Sequence, residues 1–259
     1  MLGSSISIVI PVLNERDNVQ PLIGSFDGLM NVQGVAQLKE VIFVDDGSTD
    51  GTVLAIKQEI GLHPYGIRLL ERSKKMGTVD AAIAGSVVAE SDAVVVMDGD
   101  LQHPPHVVTE LAKWMNEGHD LIIASRHVEG GNNVWRPWRG VISRGAIFVA
   151  YALVPQSRKI RDPISGFFLV DRKLITDLPP IAGRAKLLLY ILSSSDVSNP
   201  LEVPYTLVDR KSGTSKVVGR NLSFITNYLI EVIGYMRNSH HSKVDSKKVR
   251  MAGSANPRE

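Results

Sequence analysis

The sequence contains no cysteine. Disulfides, thiolate metal sites and a cysteine nucleophile are therefore excluded, and the composition fits a reducing cytosol. Long apolar runs are missing too. A membrane span needs about eighteen uncharged apolar residues, and the nearest approach, Leu222–Met236, is interrupted by Asn227 and Glu231. Met1–Ile10 lacks the basic start and long apolar stretch of a signal peptide. Neither GxxxxGKS/T nor GxGxxG occurs, which argues against P-loop nucleotidases and Rossmann dehydrogenases. The net charge of +2 is too small to suggest nucleic acid as a partner. Cations do collect at the C-terminal end, where Arg237–Glu259 carries six Lys or Arg against two acids.

What is present is the composition of a folded domain: 259 residues, 44% hydrophobic and 22% charged, enough for one sizeable core with at most a small appendage. Short apolar runs alternate with helical patterns. Ser5–Pro11, Val41–Val44, Ile67–Leu70, Ala93–Met97 and Leu121–Ala124 read as strands, with Pro11 stopping the first. Between them, helices are predicted from Asn14–Asp17 to about Met30, from Thr52 to about Ile60, over Gly77–Glu90 and over Pro104–Glu117. Such alternation implies a mostly parallel, twisted sheet covered by helices on both faces. The second half is less regular. Trp135–Tyr151 reads as an amphipathic helix, Asp162–Arg172 as a loop entering a strand, Leu201–Val208 as a strand and Asp209–Lys216 as a cationic loop. Asn221–Met236 is an amphipathic helix, and Asn238–Glu259 is polar, basic and expected to be disordered.

The chemistry concentrates where the strands end. In an open α/β sheet, ligands bind in the crevice at the carboxyl ends of the strands. Three loops, after Val12, Val44 and Met97, should gather there, and all carry carboxylates: Glu15, Asp45 with Asp46, and Asp98 with Asp100. Asp98-Gly99-Asp100 is the sharpest. Two carboxylates separated by one glycine can face a common point, and hard oxygen donors suit Mg²⁺ or Mn²⁺ shared with substrate phosphates. His103 and His106 flank two prolines, but neither cysteine nor a further histidine stands at ligand-like spacing, so zinc is not expected. His103 is read as shaping the loop beside Gln102.

The segments SIVIPVLNERDNV, VIFVDDGSTDGT and VVMDGDLQHPP, in that order, closely resemble the GT-A glycosyltransferases of family 2. SRGAIFVAYAL, IRDPISGFFLVDR and VPYTLVDRKSGTSKV narrow the resemblance to dolichyl-phosphate mannose synthases and related polyprenyl-phosphate hexosyltransferases. It runs from about Ser5 to Lys216, and further if the helix to Met236 is included. It implies a Rossmann-like GT-A fold and a reaction that moves a hexose, with inversion, from a nucleotide diphosphate donor to a polyprenyl phosphate. GDP-mannose to dolichyl phosphate is the leading pair. Carried over residue by residue, Pro11, Leu13, Glu15, Val44 and Asp46 would line the nucleotide pocket. Asp98, Gly99, Asp100 and Gln102 would hold sugar nucleotide, with Asp98, Asp100 and Gln102 as metal ligands. Gly99 departs from the alanine often found in the family. Arg126, Arg139 and Ser143 match acceptor-phosphate residues, and Arg126, Arg210 and Lys216 match cations that grip the donor. Asp100, Arg126, Arg139 and Ser143 are therefore the catalytic candidates.

Attack by an already ionised phosphate needs no strong general base, but it needs cations to bring two anions together. The resemblance also implies a peripheral enzyme on the cytoplasmic face of a membrane. A transferase domain over 1–220 would be followed by a membrane-surface helix over 221–238 and a basic tail over 239–259, with a membrane-anchoring partner as another route to the bilayer. The aromatics Trp135, Trp138, Phe148 and Tyr151 are either core or a lipid-facing surface. Two rival readings remain: a family 2 transferase using UDP-glucose, another donor or a glycan acceptor, and a catalytically silent GT-A scaffold subunit.

Overall fold

Apolar runs without polar interruption suit strands covered on both faces, and the fold is built on them. The computed structural model describes residues 5–29, 36–133, 137–178 and 186–208. Strand β1 (Ser5–Val12) leads to helix α1 (Arg16–Phe26), then β2 (Gln37–Asp45), α2 (Thr52–Glu59), β3 (Gly66–Glu71), α3 (Thr78–Val88) and β4 (Ala93–Val96). There follow α4 (Val107–Lys113), β5 (Leu121–Ser125), a two-residue β6 (Asn132–Asn133) and the long α5 (Pro137–Leu153). The chain then forms β7 (Phe168–Asp171), a short α6 (Lys173–Thr176), α7 (Leu187–Ser194), β8 (Pro200–Pro204) and β9 (Thr206–Leu207). Seven strands form one sheet in the order β3-β2-β1-β4-β7-β5-β8, and β6 pairs with β9 in a small second sheet.

Alternate residues of the sheet face two separate cores. On one face, Ile8 and Ile10 pack with Val19, Leu22 and Phe26 of α1 and Leu111 of α4. On the other, Val9, Ile42 and Val44 pack under α3, α5 and α7. Helix α7 was not foreseen. Its first six residues, Leu187 to Leu192, are all buried, so it shows no amphipathic period to read.

Several boundaries move for identifiable reasons. Pro11 does not stop β1, because pairing with β2 continues through Pro11 and Val12 while pairing with β4 ends at Val9. A strand tolerates proline where one side has no ladder partner. Helix α1 ends at Phe26 in a 3₁₀ turn over Asp27–Leu29, short of the predicted Met30, which lies outside the described residues. Strand β2 begins four residues early and contains the buried Glu40, which accepts from Ser7 Oγ (2.8 Å), Arg68 Nη1 (2.8 Å) and the backbone N–H of Glu90 (2.7 Å). The Leu201–Val208 segment bends into β8 and β9 rather than running as one strand. Strand β7 is antiparallel to both of its neighbours, β4 and β5. The predicted helix Asn221–Met236 and the basic tail lie outside the described residues.

Helix α3 sits closest to the sheet at Gly85. A methyl group there would come within 2.4 Å of Val9 Cγ1 and 2.9 Å of Val44 Cγ2. Gly85→Ala should therefore destabilise the fold by about 1–3 kcal/mol through overpacking. Gly24→Ala, on the exposed side of α1 with open space around it, should be neutral or stabilising by up to about 1 kcal/mol. Denaturant titration of both variants checks the contrast.

Candidate active site

Strands β1, β2, β4, β5 and β8 run parallel, so their carboxyl ends share one edge. Because β7 runs the other way, the loop that precedes it arrives at that edge as well. The β1 and β2 loops are fastened to each other. Asn14 N donates to Ser48 Oγ (2.9 Å), Thr49 N to Asn14 Oδ1 (2.8 Å), Glu15 N to Thr52 Oγ1 (2.9 Å) and Arg16 N to Asp50 Oδ2 (3.1 Å). Asn14 adopts φ 56°, a left-handed conformation that asparagine tolerates better than most residues.

The predicted nucleotide residues do different jobs within these loops. Glu15 is buried, and its carboxylate accepts from Asn18 Nδ2 at 2.7 Å. Asp46 accepts from Arg72 Nη1 (3.2 Å), Met76 N (2.9 Å) and Gly77 N (2.9 Å), so both of its oxygens hold the 72–77 loop. Pro11 and Leu13 are partly exposed at the edge. The Val44 side chain is fully buried in the core facing α3, so it meets the pocket only from the end of β2.

After β4 the chain turns sharply. Leu101 takes φ 61°, a conformation costly for a branched side chain and held only where surrounding contacts enforce it. Gln102 N donates to Asp100 Oδ1 at 3.0 Å, and Gln102 Nε2 donates to Val208 O at 3.1 Å. The Asp98 side chain is 46% exposed, whereas Asp100 is buried. Gly99 serves packing: an added methyl would stand 3.0 Å from Val12 Cγ1 and 3.2 Å from Ile10 Cγ2. The turn is braced by His103, whose Nδ1 accepts from Asp98 N at 3.0 Å. Its ring stacks on Phe167 and meets Tyr205 edge-on. Burial drives the His103 pKa down to about 3; Asp100 opposes this, and Arg126 and Lys186 reinforce it. The ring is therefore neutral with its proton on Nε2, and its 3.9 Å approach to Asp98 Oδ2 is not an ion pair.

At the end of β5 stands a buried ion pair. Arg126 Nε and Nη2 each donate to Asp162 at 2.7 Å, and the Arg126 backbone N–H donates to the same carboxylate at 3.1 Å. Burial alone would lower the pKa of this guanidinium, but the hydrogen bonds and charge of Asp162 outweigh it and raise it. Asp162 and Arg161 in turn donate their backbone N–H groups to Glu202 on β8. Ser165 Oγ donates to Ala124 O, and Gly166 lies against His103 and Asp98. The 162–166 loop thus joins β5, β8 and the carboxylate loop. The sequence alone assigns Asp162 no role. Its one signal is an acid-proline pair directly after Arg161.

Ser143 on α5 is buried, and its hydroxyl has no partner. Arg139 lies on the same helix, with its side chain outside the described residues; Arg210 and Lys216 are outside them altogether. Among the described residues, no three His, Cys, Asp or Glu side chains stand close enough to enclose a metal. Asp98 and Asp100 nevertheless fit Mg²⁺ or Mn²⁺, which usually takes one or two carboxylates and completes its shell with water and substrate phosphate.

Residues 7–178 match the family described as Glycosyl transferase family 2. The chain is 38% identical over 220 residues to a dolichol-phosphate mannosyltransferase of Pyrococcus furiosus, covering 84% of this chain but 60% of that protein. It is 31% identical over 224 residues to the dolichol-phosphate mannosyltransferase of Saccharomyces cerevisiae, covering 83% of this chain and 81% of that one. Among solved structures, glucosyl-3-phosphoglycerate synthase from Mycobacterium tuberculosis, with Mn²⁺, UDP and glucosyl-3-phosphoglycerate, superposes with a TM-score of 0.65 at 22% identity. That match covers 92% of this chain and 80% of the other and shows a shared fold.

Two outcomes follow from the geometry. Asp162→Ala leaves a buried guanidinium without its carboxylate and should cost about 3–5 kcal/mol in chemical denaturation. His103 is neutral when folded and titrates near 6.5 when unfolded, so its contribution to stability is present above pH 6.5 and declines toward pH 3. By pH 5 the loss should be about 2 kcal/mol. The slope of stability against pH between 6.5 and 4 should flatten in His103→Asn.

Proposed function

This chain belongs to glycosyl transferase family 2, and we propose that it transfers a hexose, with mannose from GDP-mannose the leading case, to a polyprenyl phosphate such as dolichyl phosphate. The observation that carries this reading is the meeting, on one sheet edge, of the Asp98–Asp100 turn with Arg126. One group suits the metal-diphosphate of a donor and the other suits an anionic acceptor. The names of the relatives support mannose as the sugar and dolichol phosphate as the acceptor.

In this reading Glu15, Pro11, Leu13 and the Asp46–Arg72 pair lie beside the nucleoside, and Asp98, Asp100 and Gln102 beside the diphosphate. A divalent cation, when bound by Asp98 and Asp100, would offset the charge of the leaving nucleotide. Arg126, fixed in orientation by its fork to Asp162, keeps positive charge where the acceptor phosphate must approach. Arg139 and Ser143 on α5 extend that acceptor site, and Arg210 and Lys216 would close on the donor. An acceptor phosphate oxygen forms its bond to the anomeric carbon as the bond to the diphosphate breaks, so configuration inverts. Asp100 acts through charge and geometry rather than as a base.

The same reading places the protein on the cytoplasmic surface of a membrane, with a transferase domain over 1–220, an interfacial helix over 221–238 and a basic tail over 239–259. Among the described residues, no helix is long and apolar enough to cross a membrane. Phe148 on α5 is 73% exposed, which favours lipid contact at that position. Tyr151 instead turns its hydroxyl to Ile160 O at 2.9 Å.

Incubation with a panel of radiolabelled sugar nucleotides and dolichyl phosphate, with Mn²⁺ or with EDTA, tests the proposal. The expected outcome is metal-dependent, organic-extractable label from GDP-mannose, reduced at least 100-fold in Asp100→Ala. Label from UDP-glucose alone would move the donor and keep the chemistry. No lipid-linked label from any donor would overturn the lipid-phosphate reading.

A further inference from the structure

Tyr205 lies in the one-residue link between β8 and β9, and its backbone is pinned on both sides. Its N–H donates to Ser125 O at 3.0 Å, and its carbonyl accepts from Asn132 N at 3.0 Å. Its ring stands edge-on to His103 at 6.0 Å and to Phe167 at 5.8 Å, and those two rings stack on each other at 5.0 Å. The side chain is thus held by backbone and by two aromatic neighbours. It is only 4% exposed, and its hydroxyl has no hydrogen-bond partner.

A buried phenol without a partner is expensive, because its desolvation is not compensated. Phenylalanine would fill the same space without that cost. The surroundings suggest what the hydroxyl is for. Arg126, Asp162, Asp98 and Asp100 all act electrostatically on Tyr205. Its ring meets His103, which accepts from Asp98 N, and its backbone N–H donates to Ser125 O, next to Arg126, so it lies between the carboxylate turn and the buried ion pair. Burial raises its pKa, so it remains a neutral O–H donor across the physiological range. A donor is what a phosphate oxygen requires there, since the nearby carboxylates can only accept.

We infer that Tyr205 is a further substrate-binding residue, its hydroxyl donating a hydrogen bond to an oxygen of the donor's diphosphate. The inference rests on the sugar-nucleotide reading of the site. In this role the hydroxyl is uncompensated in the free protein and satisfied in the complex. Removing it must therefore stabilise the one and weaken the other.

The test is Tyr205→Phe in the full chain, with two readouts. Thermal melting of the ligand-free variant should rise by about 3 °C, and its affinity for GDP or UDP in the presence of Mn²⁺, measured calorimetrically, should fall about tenfold. Affinity for the corresponding nucleoside should not change. A structural tyrosine would give the reverse pattern, a lower melting temperature with diphosphate affinity intact, and that result would overturn the inference while leaving the donor site standing. If the wild-type protein binds neither diphosphate, the sugar-nucleotide reading itself fails and takes the Tyr205 assignment with it.

Discussion

The bidentate pair of Arg126 and Asp162 is the contact on which the geometry of this sheet edge depends. It joins the end of β5 to the loop before β7, the strand that runs opposite to its neighbours. Glu202 anchors that loop from β8, and Ser165 and Gly166 carry it across to β5 and the Asp98–His103 turn. Both charges are almost fully desolvated. Such a pair contributes little net stability over an apolar substitute, but breaking it strands a buried charge. Its value lies in orientation. It fixes a guanidinium at the edge where two anionic substrates would have to meet.

The candidate site also gathers much of the local unfavourable energy found among the described residues. Both non-glycine residues with positive φ, Asn14 and Leu101, sit in its loops. Asp45 Oδ1 and the Tyr205 hydroxyl, buried and without partners, lie at the same edge. The rest of the fold tolerates this because two dense cores support the sheet from either side. Strain and unsatisfied groups held in this way are characteristic of surfaces organised for a ligand rather than for stability alone.

Much of this was legible in the sequence. The apolar runs around Val9, Val44 and Val95 gave strands, and their direction followed from the helices between them. The carboxylates after Val12, Val44 and Met97 were therefore placed correctly on one edge. The reversed strand was not legible: the apolar pattern of FLVD suits either direction, and only the register, running from Ala93 against Asp171 to Val96 against Phe168, decides it. The packing of Gly99 against Val12 and Ile10 was not legible, because those neighbours lie far off in the sequence. Asp162 and Tyr205 gave no periodic signal, because their significance depends on neighbours distant in sequence.

In the proposed reaction Asp98 and Asp100 would supply part of a metal site that a bound diphosphate completes. The most direct measurement is the electron paramagnetic resonance signal of free Mn²⁺ titrated with the protein, with and without GDP or UDP. Weak binding by the protein alone, much tighter binding when one of the diphosphates is present, and loss of that gain in the Asp98→Asn/Asp100→Asn double variant are expected. Equal Mn²⁺ affinity in wild type and double variant, with or without diphosphate, would contradict the proposed metal site.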